Sequence, residues 1–128
     1  MTKQKQKKWS SGELTFITLW RQIAPGLPEP VHDIKFHPSR NCRFDFVWES
    51  AKVAVEIEGA VFAGGRHTRG GGYEKDCEKY NAALDLGYSV YRYSTTMLDR
   101  EPWNCIQQVA SAVQRRMTQV FRQTGMSA

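Results

Sequence analysis

The sequence predicts an α/β fold, a mixed sheet flanked by helices in the order αβββαβα. Three observations predict it. Apolar residues recur at helical spacing in three stretches, near residues 11–25, 73–87 and 101–125. Between the first two, "CRFDFVWE" and "KVAVEIE" have strand length and strand composition. No linker or internal repeat divides the 128 residues, which suits one domain around one core.

Taken in order, residues 1–10 are polar, basic and without periodicity, and read as a disordered tail ahead of a domain over 11–128. "SSGELTFITLWRQIAP" reads as a helix capped by Ser10 or Ser11, with Glu13 in its first turn and Pro25-Gly26 as its stop. Positions 13, 16, 17 and 20 share a face, so Glu13 lies at one end of the buried stripe. A short strand covers roughly residues 31–36 and ends before Pro38. Two strands follow, joined by a tight turn at Glu49-Ser50-Ala51. "AGGRHTRGGG" is a glycine-rich loop. "YEKDCEKYNAALDLG" is a helix with Tyr73, Cys77, Tyr80 and Leu84 on one face and Gly87 as its stop. "YSVYRYS" is a strand. "EPWNCIQQVASAVQRRMTQVFRQTG" is a long closing helix.

The composition, 41% hydrophobic and 12% aromatic, excludes a disordered chain. The net charge of +5, with Lys3, Lys5, Lys7 and Lys8 near the start, points to a polyanionic partner, nucleic acid before a membrane. A basic surface that serves solubility alone is the competing reading. Cys42, Cys77 and Cys105 show no zinc-ligand spacing and read as reduced thiols. No apolar run approaches the roughly 20 residues of a membrane span, and the charged start lacks the apolar segment of a secretory signal. A cytoplasmic protein is expected.

The unusual feature is acidic. Alternation sends Val53, Val55 and Ile57 to one face of their strand, and Ala54, Glu56 and Glu58 to the other. On the preceding strand it puts Phe44, Phe46 and Trp48 together, opposite Arg43, Asp45 and Val47. A hairpin register can then bring Asp45 and Glu56 onto a common face. Two adjacent carboxylates repel unless a cation lies between them, and their oxygens, with a backbone carbonyl such as that of Ile57, are hard ligands suited to Mg²⁺. The alternative is a solvated face whose acids pair with Arg43, Lys52 or Lys75. Spacing leaves both open.

The string "RFDFVWESAKVAVEIEG", then His67, then "KDCEKYNAALDLGYSVYRYS", resembles the PD-(D/E)XK nuclease superfamily. It looks like the branch near very-short-patch-repair endonucleases, of phage or prophage type. The resemblance covers residues 43–94 and implies a restriction-endonuclease-like αβββαβ core, here with a long helix added at the C-terminus. It also implies a metal-dependent DNA endonuclease using Mg²⁺, with Mn²⁺ as a substitute. Asp45 and Glu56 match the paired metal-binding acids, joined by the Ile57 carbonyl. Glu58 falls where many members place a lysine, a departure from the pattern. Some members supply that lysine from the following helix, where Lys79 or Lys75 stands; Lys79 neighbours the core-facing Tyr80. Glu13 matches an acid on the first helix of several members, although a first-turn acid also favours a helix N-terminus without any such role.

His67 matches a histidine that assists the chemistry in the related repair enzymes. Its loop holds half of the ten glycines, between residues 64 and 72, and glycine lets a backbone approach phosphate closely while Arg66 and Arg69 add charge. The loop has no Gly-Lys-Ser/Thr ending, so it is not a Walker loop. Lys75 and Arg92 are further DNA-contact candidates, as is the Arg115, Arg116 and Arg122 side of the last helix. Tyr88, Tyr91 and Tyr93 read as sheet residues rather than a base-stacking platform. The expected activity is cleavage of branched or junction DNA, or nicking, by a homodimer. The alternative is a non-catalytic DNA-binding module on a decayed nuclease fold, for which Glu58 is the main argument.

Overall fold

The structure is a computed structural model describing residues 8–59 and 70–123. Its first helix, α1 (Ser11–Ile23), starts where Ser10 accepts the Glu13 N–H at 3.2 Å. Ser10 Oγ donates in return to the Glu13 carboxylate at 2.7 Å, so each end of this first turn satisfies the other. α1 buries Phe16, Ile17 and Trp20 along one stripe, and Glu13 lies in that stripe at 4% exposure. Trp9, at the end of the stretch read as tail, stacks on His32 with ring centroids 3.8 Å apart.

Three antiparallel strands follow: β1 (Val31–Lys35), β2 (Arg43–Trp48) and β3 (Val53–Glu58). The β2–β3 turn closes through the Lys52 N–H to the Glu49 carbonyl at 3.2 Å, with Lys52 at φ 55°. After β3 comes α2 (Gly70–Asp85), which crosses over so that β4 (Ser89–Ser94) adds parallel to β3. The sheet order among the described residues is β1-β2-β3-β4. Gly87 ends α2 as expected. At φ 86° it turns the chain so that the Tyr88 N–H reaches the Ala83 carbonyl at 2.9 Å, the bond of a Schellman stop.

One element was not foreseen. A short helix, α3 (Thr95–Arg100), capped by Ser94, precedes the closing helix α4 (Pro102–Gln123). Six residues are too few to show a period, and the Ser94 cap is the only local signal for it.

The sheet has two unequal sides. Against α1 and α4 lies the main core, with Phe16, Trp20, Phe46, Val53, Ile106 and Val109 at its centre. Against α2 lies a smaller cluster of Phe36, Phe44, Val47, Ala54, Ala83 and Tyr88. This division corrects the expected alternation on β2, because Phe44 packs on the α2 side while Phe46 and Trp48 pack on the other. The cause lies across the ladder from Asp45. Asp33 takes φ 52°, a left-handed conformation that breaks the pleat, and the faces exchange on both strands there. Thus His32 joins the rings around Phe46, whereas Ile34 joins the Phe44 cluster.

α2 is also rotated from its expected setting. Tyr73 and Leu84 are 58% and 71% exposed, and Ala82 and Ala83 are the residues it buries. Lys79 and Tyr80 therefore sit half-buried on the side facing the sheet.

Candidate active site

The site begins where the sheet divides. The β2–β3 ladder pairs Trp48 with Val53, Val47 with Ala54 and Phe46 with Val55. One step further, the Ile57 N–H is taken by the Asp45 carboxylate at 2.8 Å instead of by a strand carbonyl. A side chain thus replaces a ladder bond at the point where both strands carry acids. The backbone pairing of β2 with β3 ends at Phe46 and Val55, so Asp45 and Glu56 are the residues that follow its last pair on each strand.

Glu56 projects toward α2. One of its oxygens pairs with Lys79 Nζ, and the other accepts the Tyr80 hydroxyl at 2.6 Å. Both members of the ion pair are largely shielded, with 19% and 16% of their side chains exposed, so the partnership is weakly screened. The Lys79 ammonium also lies 4.6 Å from the centre of the Phe44 ring, a cation–π contact that fixes it from the other side. The exchange of faces at Asp45 is what brings Phe44 there.

Burial and the bond to Glu56 push the Tyr80 phenol well above its ordinary range, so it stays protonated and donates. Arg92, from β4, stacks 4.6 Å over the Tyr80 ring and pairs with Glu58. Its guanidinium is raised further by the bond to Glu58. The β3–β4 register, Glu56 beside Arg92 and Glu58 beside Ser94, sets this arrangement. Two cations thus reach the acids of β3, Lys79 from α2 at Glu56 and Arg92 from β4 at Glu58.

Glu13 lies on a different element. It faces the sheet from the α1 side, where its carboxylate pairs with His32 Nε2 beneath the Trp9 ring. Its helix comes close to the fork because of Gly12: a Cβ there would lie 2.8 Å from Ile57 Cγ2 and from Thr95 Cγ2. Lys75, one turn before Lys79 on α2, is exposed. His67, Arg66 and Arg69 lie outside the described residues. Tyr88 and Tyr93 are buried at 4% and 3%, which removes them as a stacking platform. Arg116 is turned inward to Ser89 Oγ at 2.8 Å.

The sequence reading did not anticipate Tyr80 as a partner of Glu56, or His32 and Trp9 as partners of Glu13. A phenol beside the candidate lysine was the available signal for the first. A tryptophan in an otherwise polar stretch was the signal for the second.

The three cysteines are free thiols, Cys105 buried and the others half-buried. Among the described residues, no group of three or more His, Cys, Asp or Glu side chains forms a metal-holding cluster, and no helix is long and apolar enough to cross a membrane. The acids expected to hold an ion, Asp45 and Glu56, are here bonded to the Ile57 N–H and to Lys79 and Tyr80. Mg²⁺ takes one or two carboxylates and keeps several waters, so these two acids fit it in kind.

No family model matches the chain, and no curated protein matches it. Among solved structures, the fold is similar to that of the catalytic domain of the homing endonuclease I-Bth0305I, with a TM-score of 0.50 and 17% identity over 88% of this chain and 98% of that one. At that identity the likeness is one of fold: the α/β arrangement described above is an endonuclease-like fold.

Proposed function

We propose that the protein is a metal-dependent endodeoxyribonuclease whose reacting centre is the fork between β2 and β3. The observation that carries this reading is the fork itself: Asp45 takes the Ile57 N–H in place of a ladder bond, next in chain to a Glu56 that is clamped by Lys79. A carboxylate pair and an immobilised ammonium are the groups that hydrolysis of a phosphodiester needs in one place. The endonuclease-like fold supports the same reading. So does the resemblance to the very-short-patch-repair branch.

Asp45, Glu56 and the Ile57 carbonyl are the residues that hold Mg²⁺, or Mn²⁺ in its place. When bound, the ion neutralises charge at the phosphate and makes water more acidic. Asp45 and Glu56 orient the attacking water, and Lys79 donates to a phosphate oxygen as negative charge grows there. Tyr80 holds the Glu56 carboxylate in position, and Arg92 balances Glu58 so that the site does not repel the incoming phosphate. Water adds to phosphorus, the bond to the 3′ oxygen breaks, and that oxygen takes a proton. The products are 5′-phosphate and 3′-hydroxyl ends. His67 is the proposed proton donor, with Glu13 contributing from the α1 side. Arg66, Arg69 and Lys75 contact the DNA backbone. The substrate is branched or junction DNA, or a duplex that is nicked, and a homodimer in the cytoplasm cuts its two strands.

The test uses purified protein with end-labelled single-stranded, duplex, forked and four-way-junction DNA, in Mg²⁺, Mn²⁺ or EDTA. Metal-dependent cutting is expected, abolished by Glu56→Ala while DNA binding persists. Binding without cutting in either metal would instead identify a non-catalytic module on this fold. Equal loss of cutting and binding in the variant would mean that Glu56 supports the fold and not the reaction.

A further inference from the structure

We infer that the outer face of α4 is a second nucleic-acid surface, which takes the phosphate backbone of a segment other than the one at the fork. The inference rests on the nuclease reading and extends it to the shape of the substrate. It starts from an imbalance of charge. The 22 residues of α4 include three arginines, several glutamines and no aspartate or glutamate. A surface helix usually mixes both signs, because opposite charges one turn apart stabilise it. Here that stabilisation is forgone along six turns.

The arginines are used in two ways. Arg116 turns inward and bonds Ser89, beside the buried Val109, Ala112 and Val113. Arg115 and Arg122 point outward, exposed, and neither has a carboxylate partner among the described residues. They share one stripe with Ser111, Gln114, Thr118 and Gln119. Spacings of four, three and four residues place Ser111, Arg115, Thr118 and Arg122 in a single row, about 16 Å long at the helical rise. Guanidinium groups flanked by neutral hydroxyl and amide donors, with no acid to repel a phosphate, are the chemistry of a sugar–phosphate backbone contact. The row itself contains no apolar side chain, although Phe121 is exposed beside it.

Position then decides what segment this is. α4 covers the α1 side of the sheet, and its basic row faces away from that sheet. Glu56, Lys79 and Tyr80 lie on the opposite side, beneath α2. A straight duplex seated at the fork does not pass around the sheet to α4. A second arm does, as in a junction, a fork or a sharply bent duplex.

The experiment measures binding in a Glu56→Ala background, which holds cleavage off. Fluorescence anisotropy compares a four-way junction with a linear duplex of equal length across a salt series, with and without Arg115→Ala/Arg122→Ala. The double variant is expected to weaken junction binding and to reduce its salt slope by about 2, one unit per lost phosphate contact, with linear duplex binding unchanged. Arg115→Lys/Arg122→Lys restores the slope. Both substitutions are to helix-favouring, exposed residues, and circular dichroism checks that the fold is kept. An unchanged junction slope overturns the inference and leaves the nuclease reading standing. Equal weakening of both DNAs overturns it as well, by placing α4 on the same path as the fork. Failure of the parent to bind either DNA overturns both readings.

Discussion

The two sides of the sheet solve different problems. The α1/α4 side is a mainly apolar core in which aromatic rings meet in sequence, Phe16 on Phe46 at 4.9 Å and Trp20 on Trp48 at 4.7 Å between centroids, with the Glu13–His32 pair as its one described ion pair. The α2 side starts the same way, with Phe36 stacked on Phe44 at 4.4 Å, and then changes to carboxylates and cations within one strand length. Burial of large apolar side chains on the first side contributes about 1.5–3 kcal/mol each. On the second side the ion pairs roughly offset their own desolvation, so they contribute little to stability. The comparison teaches that one face carries the fold and thereby frees the other to hold charge where β2 and β3 part.

The largest test of that division is Phe46→Ala against Phe44→Ala. Phe46 is fully buried, and its truncation should cost about 3–5 kcal/mol in denaturant unfolding, with the remaining folded protein cutting DNA as before. Phe44→Ala should lower stability and cleavage together, because its ring carries Lys79. If the two variants behave alike, the faces do not differ in the way described.

Lys79→Ala comes next. It should reduce single-turnover cleavage by about 10²–10³-fold with a small change in the unfolding midpoint, as for loss of one charge-stabilising donor. Retention of cleavage would move the reacting centre away from the α2 side.

The smallest effect appears only in alkali. Tyr80, Tyr88 and Tyr93 have phenols raised above the ordinary range, in each case chiefly by burial. An unfolded phenol ionises near about pH 10, whereas these keep their protons when folded. The stability they carry is therefore complete below about pH 10 and declines as pH rises beyond it. A urea midpoint followed from pH 8 to 11 should be level and then fall. Tyr93→Phe, which also removes a 2.6 Å bond to Gln108, should make that fall shallower. A midpoint that does not move would mean that the phenols ionise as readily in the fold as outside it.

Much of this architecture can be traced to local chemistry. Ser10 three residues before Glu13 sets the start of α1, Gly87 sets the end of α2, and alternation puts Glu56 and Glu58 on one face of β3. Each is a matter of backbone preference or of period two, which a short stretch of chain determines by itself. Asp45 and Glu56 stood out for the same reason, as acidic residues in strands that otherwise bury apolar ones.

Other decisions belong to the tertiary structure. That Lys79 and not Lys75 meets Glu56 depends on where along the sheet α2 lies, because the two lysines share a helix face one turn apart. That Phe44 leaves the main core depends on Asp33 across the ladder, ten or more residues away in sequence. That Trp9 closes over His32 and Glu13 depends on a pocket formed by α1 and β1 together. Local preferences act within a few residues and were determined by the sequence alone. The partners of each charge were decided by which surfaces could be brought into contact while the core remained filled, and only the folded chain settles that.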